Sequence, residues 1–205
     1  MCWFRWSPPT LWTQTEGVCV TDLKPIAALG GMTPCIEVIG DLTISEISDR
    51  ALASLAARVG AGPSVAAKMK ALTGLDLPEP GALVASDTWS IWWMAPDQWM
   101  VDANHASHEL LERTVKSAVG SEGSVTEQTD GWCRFDITGP SSEALFERLC
   151  PVDLQLMGPQ GATRTMIHHL GCFLIRVRGG CAVLGPRSSA GSLHHALVTA
   201  ARSIA

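Results

Sequence analysis

Charged residues are scarce in this sequence, at 17%, and they do not gather into basic clusters. With a formal net charge of −5, this argues against a nucleic-acid partner, which needs a basic face. No run of about eighteen uncharged apolar residues occurs, so no membrane-spanning helix and no membrane partner are expected. Met1 to Thr10 lack an apolar stretch followed by a cleavage site, which speaks against a secretory signal. No C-x-x-C pair is present, which argues against a thiol-based redox protein; a thiol with a strongly lowered pKa would be needed instead. The seven cysteines (Cys2, Cys19, Cys35, Cys133, Cys150, Cys172 and Cys181) are odd in number. Small buried thiols in a reducing, cytoplasmic setting account for them better than a disulfide framework does. Tyrosine is absent, against eight tryptophans.

What is present suits a folded core. The apolar content of 46% over 205 residues is enough for one large domain or two small ones. Met1 to about Glu16 is aromatic but aperiodic, and reads as a mobile arm or an over-long start. Thr21 to Leu29 reads as an extended segment. Cys35 to Ile39 and Leu42 to Ile47 read as strands around Gly40-Asp41. Asp49 to Val59 is ambiguous: Leu52, Leu55, Ala56 and Val59 follow helical spacing, and alternation through Leu52, Ser54, Ala56 and Arg58 also fits. Alanine and leucine favour helix there by propensity. Pro63 to Leu72 reads as a helix closed by Gly74. Thr88 to Met94 and Trp99 to Asp102 read as strands about an Ala95-Pro96-Asp97 turn, and His105 to Val119 as a helix.

The stretch from Val125 to Arg148 carries the most local information. Val125 to Thr129 and Cys133 to Thr138 alternate like half-buried strands, and Asp130-Gly131 between them predicts a hairpin. Gly139-Pro140 stops the second strand, and Ser141 or Ser142 caps a helix. Ala144, Leu145, Leu149 and Val152 place an apolar stripe on that helix and the segment after it. Thr163 to Leu170 and Cys172 to Arg178 read as a further hairpin, and Cys181 to Leu184 as a last strand. Ser188 or Ser189 caps a terminal helix reaching about Ser203. Strand pairs alternating with single helices give an α+β class, with helices packed on antiparallel sheets. Two β-rich halves, before and after about Gly120, hint at a duplicated split-βαβ plan.

Several blocks together resemble one family. They are A-L-A-S-L-A-A-R-V-G from Ala51, W-W-M-A-P-D-Q-W-M from Trp92, T-E-Q-T-D-G-W-C-R-F from Thr126, G-P-S-S-E-A-L-F-E-R-L-C-P-V-D-L from Gly139, R-T from Arg164, and L-G-P-R-S-S-A-G-S-L-H-H-A-L from Leu184. In order and spacing they resemble the gamma subunit of heterotetrameric sarcosine oxidase, over about Thr21 to Ala201. The gamma-type subunit of N-methylglutamate dehydrogenase is a close alternative. The resemblance implies residues 1–20 as a flexible arm and 21–205 as one gamma-like domain. It implies a fold similar to the folate-binding domain of the glycine-cleavage aminomethyltransferase, with Ala51 to Val59 as strand. It further implies a complex of alpha, beta, gamma and delta subunits that oxidises sarcosine to glycine and reduces oxygen to hydrogen peroxide. In such a complex the one-carbon unit leaves as formaldehyde or on tetrahydrofolate. FAD, FMN and NAD then belong to the alpha and beta subunits and zinc to delta. The resemblance thus implies no cofactor, no metal and no catalytic residue in the gamma chain itself. A stand-alone folate-binding aminomethyltransferase-like protein is the competing reading.

Candidate site residues are few. Gly185-Pro186-Arg187-Ser188-Ser189 precedes the last helix, so Arg187 and Ser188 are candidates for holding an anion at a helix start. Arg164 joins them only if strands bring it near. Trp89, Trp92, Trp93 and Trp99 are interface candidates: large apolar groups on both faces of one strand require a cover on both. One cover is the domain's own core; the other is a helix of this chain or another subunit. Asp130 and Asp136 flank the expected hairpin, but Asp130 before Gly131 has a turn role already. His168-His169 and His194-His195 cannot chelate one ion as doublets, although one ring from each pair could meet in space.

Overall fold

The structure is a computed structural model and describes residues 24–205. The expected arm at residues 1–20, and Cys2 and Cys19 with it, lies outside the described residues. A hairpin, β1 (Ile36–Ile39) and β2 (Leu42–Ile47), comes first. Next come β3 (Arg50–Ala57), α1 (Gly62–Thr73), β4 (Leu83–Ala85), β5 (Trp89–Ala95), β6 (Gln98–Asn104), α2 (Leu111–Val119) and β7 (Gly123–Glu127). The remainder is β8 (Trp132–Thr138), α3 (Ser142–Leu149), β9 (Ala162–Ile167), β10 (Leu170–Val177), β11 (Gly180–Pro186) and α4 (Ala190–Arg202). These strands form two antiparallel sheets, ordered β1-β2-β8-β11-β10-β9 and β4-β5-β6-β3-β7.

The two orders expose an internal duplication. In the first half a strand (β3) leads through α1 into a three-strand meander (β4, β5, β6), then through α2 into a fifth strand (β7) beside β3. In the second half β8 leads through α3 into the meander β9, β10, β11 and then α4. The place beside β8 equivalent to β7 is taken by β2, from the start of the described chain. The repeating unit is thus wider than a bare split βαβ, and its pairings are antiparallel.

Alternation along the strands builds three apolar layers. Cys133, Phe135 and Ile137 of β8, with Cys172, Leu174, Cys181 and Val183, face α3 and α4. Ala51, Ala53 and Leu55 of β3, with Trp89, Ile91, Trp99 and Val101, face α1 and α2. Leu52, Trp92, Met100, Phe173, Ile175 and Leu184 meet between the sheets. The result is a four-layer helix–sheet–sheet–helix stack. Phe173 anchors its middle, with ring centroids 5.2 Å from Trp132 and 6.2 Å from Trp92. The Arg164 guanidinium lies 5.2 Å over the same ring.

Several expectations need correction. Within Asp49 to Val59 the chain forms strand β3 (Arg50–Ala57), as the resemblance implied and against its helical propensity. It pairs on both sides, with β6 and β7, and this overrides a bias of a few tenths of a kcal/mol per residue. The expected Asp130-Gly131 hairpin does not form. β7 pairs with β3 in one sheet, while β8 pairs with β2 and β11 in the other. Thr129 to Gly131 is a 3₁₀ turn that carries the chain between sheets. It is pinned from outside: Leu52 N donates to Thr129 Oγ1 at 3.0 Å, and Gln128 N to Leu52 O at 2.9 Å. Helix α2 starts at Leu111 rather than His105. The Asn104 side chain accepts from Ala106 N at 3.1 Å and holds a competing turn. In α3, Ala144 is exposed, while Leu145 and Phe146 are the buried apolar residues; Leu149 and, in the segment after the helix, Val152 pack against the same core. Neither Ser141 nor Ser189 caps through its side chain, and Ser141 Oγ is hydrogen-bonded to Asp41 Oδ2 at 2.8 Å. Gly74 closes α1 in the left-handed region, φ 75°, as expected.

Candidate functional site

A group of charged side chains enters the layer between the sheets. Arg50 is on β3, Asp102 on β6, and Arg134 and Asp136 on β8, all on strand faces that point toward the opposite sheet. Asp102 is 1% exposed. Arg50 Nε donates to its Oδ1 at 2.7 Å, and Arg134 donates to its Oδ2 at 3.3 Å. The same Arg134 grips Asp136 with two bonds of 2.6 and 3.0 Å. Burial pushes the Asp102 carboxyl above its ordinary value, while Arg134 and Arg50 pull the other way. Burial works against the Arg134 charge, but Asp136 and Asp102 outweigh it and hold the guanidinium protonated. The four side chains form a charge-balanced spine joining the two sheets.

Arg134 lines two clefts. One, of about 950 Å³, also takes in Trp92, Asp102, Ser142, Glu143 and Arg176. Arg176 is occupied there, bonded to Glu143 at 3.2 Å and to the Leu154 and Met157 carbonyls. The indole N–H of Trp92 is buried without a protein acceptor. The second cleft, of about 680 Å³, is basic, with Lys24, Arg50, His105, Arg134 and Arg187 on its walls and Asp130 as its acid.

The anion-site candidates divide. Arg187 does reach the basic cleft, but it donates to Ile26 O at 2.8 Å and lies 3.9 Å from Asp130. Ser188 sits in a 3₁₀ turn before α4 and does not line the cleft. Arg164 lies over Phe173 and is not brought to Arg187. Asp130 is exposed and Asp136 belongs to Arg134, so the two carboxylates do not act as a pair.

The tryptophans are largely internal. Trp89, Trp92 and Trp99 are buried by this chain itself: α1 and α2 cover one face of the hairpin and the second sheet covers the other. These three are therefore largely enclosed within this chain. Trp93 is half-buried. Of the histidines, His168 and His169 form the two-residue β9–β10 turn, both at positive φ (48° and 67°), rather than lying in a strand. His168 and His195 do line one cleft, of about 440 Å³, with Arg148 as its charged neighbour. The Cys133, Cys172 and Cys181 thiols are each pushed up to about 11 by burial, which makes them unreactive near neutral pH. Asp102 and buried Glu46 escaped the sequence reading. A charged residue at an inward position of an apolar strand was the available signal in both.

The sequence model of the Sarcosine oxidase, gamma subunit family matches residues 58–157, from the end of β3 past α3. Over that span the chain is similar to the sarcosine oxidase gamma subunit family. That span includes Asp102, Arg134 and Asp136 of the spine. The sarcosine oxidase subunit gamma of Corynebacterium sp. (strain U-96) is 25% identical over 171 residues, covering 81% of this chain and 82% of that protein. A chain of heterotetrameric sarcosine oxidase from Corynebacterium sp. U-96, solved with pyrrole 2-carboxylate, has the same fold. The TM-score is 0.73 at 24% identity, over 82% of this chain and 88% of that one. Glycine cleavage system aminomethyltransferase T from Bartonella henselae shares the fold more distantly, with a TM-score of 0.52 and 14% identity. Only 48% of that protein is covered, so the gamma-like chain corresponds to about half of it.

Proposed function

We propose that this chain is a structural, non-catalytic subunit of a heterotetrameric flavin-dependent sarcosine oxidase. The observation that carries the reading is the match to a gamma subunit along four-fifths of both chains. The site chemistry agrees with it. The inward charges are engaged with one another, a pattern that fixes two sheets together rather than one that waits for a substrate. The partners are alpha, beta and delta subunits, with FAD, FMN and NAD held by the first two and zinc by the third. This chain clamps the large subunit and helps enclose the channel or the folate-side cavity. Its contact surface includes the β1 strand. Ile36 and Val38, on the face opposite α4, are 66% and 70% exposed, and Met32 nearby is 62% exposed.

Co-expression of the tagged chain with its genomic neighbours tests the proposal. A yellow complex that oxidises sarcosine supports it, and oxidation of N-methylglutamate in preference assigns the complex to the related dehydrogenase. Tetrahydrofolate binding by the chain alone would favour the aminomethyltransferase-like reading instead.

A further inference from the structure

Among the described residues, one group of metal-binding side chains that lines none of the three clefts above converges. Cys35, just before β1, Glu37 on β1 and His194 on α4 place Sγ, a carboxylate oxygen and an imidazole nitrogen within 4.8 Å of one another. We propose that this cluster is a Zn²⁺ site, with Cys35, Glu37 and His194 as three protein ligands and water in the fourth position.

The ligand set is the first argument. A thiolate, an imidazole and one carboxylate form a mixed soft and borderline set that suits zinc and does not suit calcium or magnesium, which take oxygen ligands. The geometry is the second. Zinc bonds of about 2.0–2.3 Å in a tetrahedron set ligand atoms roughly 3.4–3.6 Å apart. His194 Nε2 already stands 3.6 Å from Glu37 Oε1. All three donor atoms lie within 4.8 Å of one another, so none needs to close by more than about 1.4 Å to reach that spacing.

Preorganisation is the third. The backbone of Cys35 is locked to β2: its N–H donates to Glu46 Oε2 at 2.9 Å, and its carbonyl accepts from Glu46 N at 2.8 Å. Glu46 is 3% exposed, and its other oxygen holds Leu29 N at 2.9 Å. Glu37 sits in register opposite Ile44, on the sheet face that α4 covers. The His194 ring packs against Phe135, centroids 5.5 Å apart, which restrains its plane. All three ligands are half-buried, so an ion can enter and water can complete the shell. Burial, Glu37 and Glu46 push the Cys35 thiol up. A bound dication reverses that balance, and the thiol proton leaves to solvent as the S–Zn bond forms.

The inference does not depend on the subunit reading. Its test uses the folded full-length chain, with Zn²⁺ in competition with a chromophoric chelator and with Co²⁺ as a spectroscopic probe. One ion per chain is expected, with a thiolate-to-cobalt charge-transfer band and visible ligand-field bands of tetrahedral intensity. Cys35→Ser abolishes the charge-transfer band. Each of Cys35→Ser and His194→Gln weakens Zn²⁺ binding beyond the ~10–100-fold that loss of an outer-shell partner costs. Glu37→Gln weakens it less, because the amide oxygen remains a poor ligand. Should Cys35→Ser fail to fold, His194→Gln and Glu37→Gln decide the matter. No uptake by the wild-type chain leaves only a His194–Glu37 ion pair and overturns the proposal. So does a charge-transfer band that survives Cys35→Ser, which would place the ion on another of the cysteines, or a change under about tenfold in His194→Gln.

Discussion

Arg134→Met is the sharpest probe of the charged spine. Methionine keeps the stem's packing and removes the guanidinium, leaving Asp136 without its two bonds and Asp102 with Arg50 alone. Breaking a buried ion pair from one side costs about 3–5 kcal/mol. The lower end applies here, because Arg50 stays 2.7 Å from Asp102 and Asp136 is partly exposed. A loss of about 3 kcal/mol in a chain of this size lowers Tm by roughly 6–12 °C. The penalty also depends on pH, and its sign is fixed. Asp102 already has a raised pKa, and losing Arg134 raises it further. An acid whose folded pKa lies above its ordinary value contributes stability at low pH that is lost as pH rises through the folded value. The cost of Arg134→Met is therefore larger on the alkaline side of the folded Asp102 value and smaller on its acid side. Adding Asp102→Asn to it recovers part of the loss on the alkaline side. Urea denaturation on both sides reads all three effects. A Tm shift under about 2 °C, or a cost that does not vary with pH, would refute the spine as a structural tie.

Other consequences are equally open to measurement. Ile36→Glu with Val38→Glu should abolish co-purification with the large subunit while leaving Tm within about 2 °C of wild type, since both side chains are exposed; a large fall in Tm would mean the face is internal. Gly180→Ala should cost upward of about 1–3 kcal/mol, because its Cβ would overlap the Ile137 carbonyl across the β8–β11 pair; a neutral result in thermal unfolding counts against that register. Phe173→Ala should cost about 3–5 kcal/mol through loss of the Trp92 and Trp132 contacts between the sheets. Alkylation mapped by mass spectrometry should find Cys133, Cys172 and Cys181 unlabelled in the native state near neutral pH and labelled in urea. Their raised thiols also predict stability lost as pH climbs from about 9 toward about 11.

What was legible in the sequence was local. The β1–β2, β5–β6 and β9–β10 hairpins and the helices α1, α3 and α4 follow from alternation, glycine positions and apolar spacing. The failures are places where tertiary partners choose. Asp130-Gly131 has the composition of a hairpin turn, yet the strands it joins find partners already in place in different sheets. Ala51 to Ala57 has alanines fit for a helix, and it becomes strand because β6 and β7 complete it on both sides. The tryptophan hairpin is apolar on both faces because two layers of the same chain cover it. Charge patterning hid the spine. Arg50, Asp102 and Arg134 stand far apart in sequence, and only the packing of sheet on sheet makes them neighbours. The Cys35, Glu37 and His194 cluster is likewise the product of one edge strand meeting the last helix.

The most direct measurement of the central claim is reconstitution. Partner subunits prepared without this chain are assayed for assembled mass, flavin content and sarcosine oxidation, and the purified chain is then added back. The account predicts a colourless, inactive chain whose addition restores a complex of full mass and activity. A chain that oxidises an N-methyl amino acid by itself, or that carries a tightly held flavin, would contradict it.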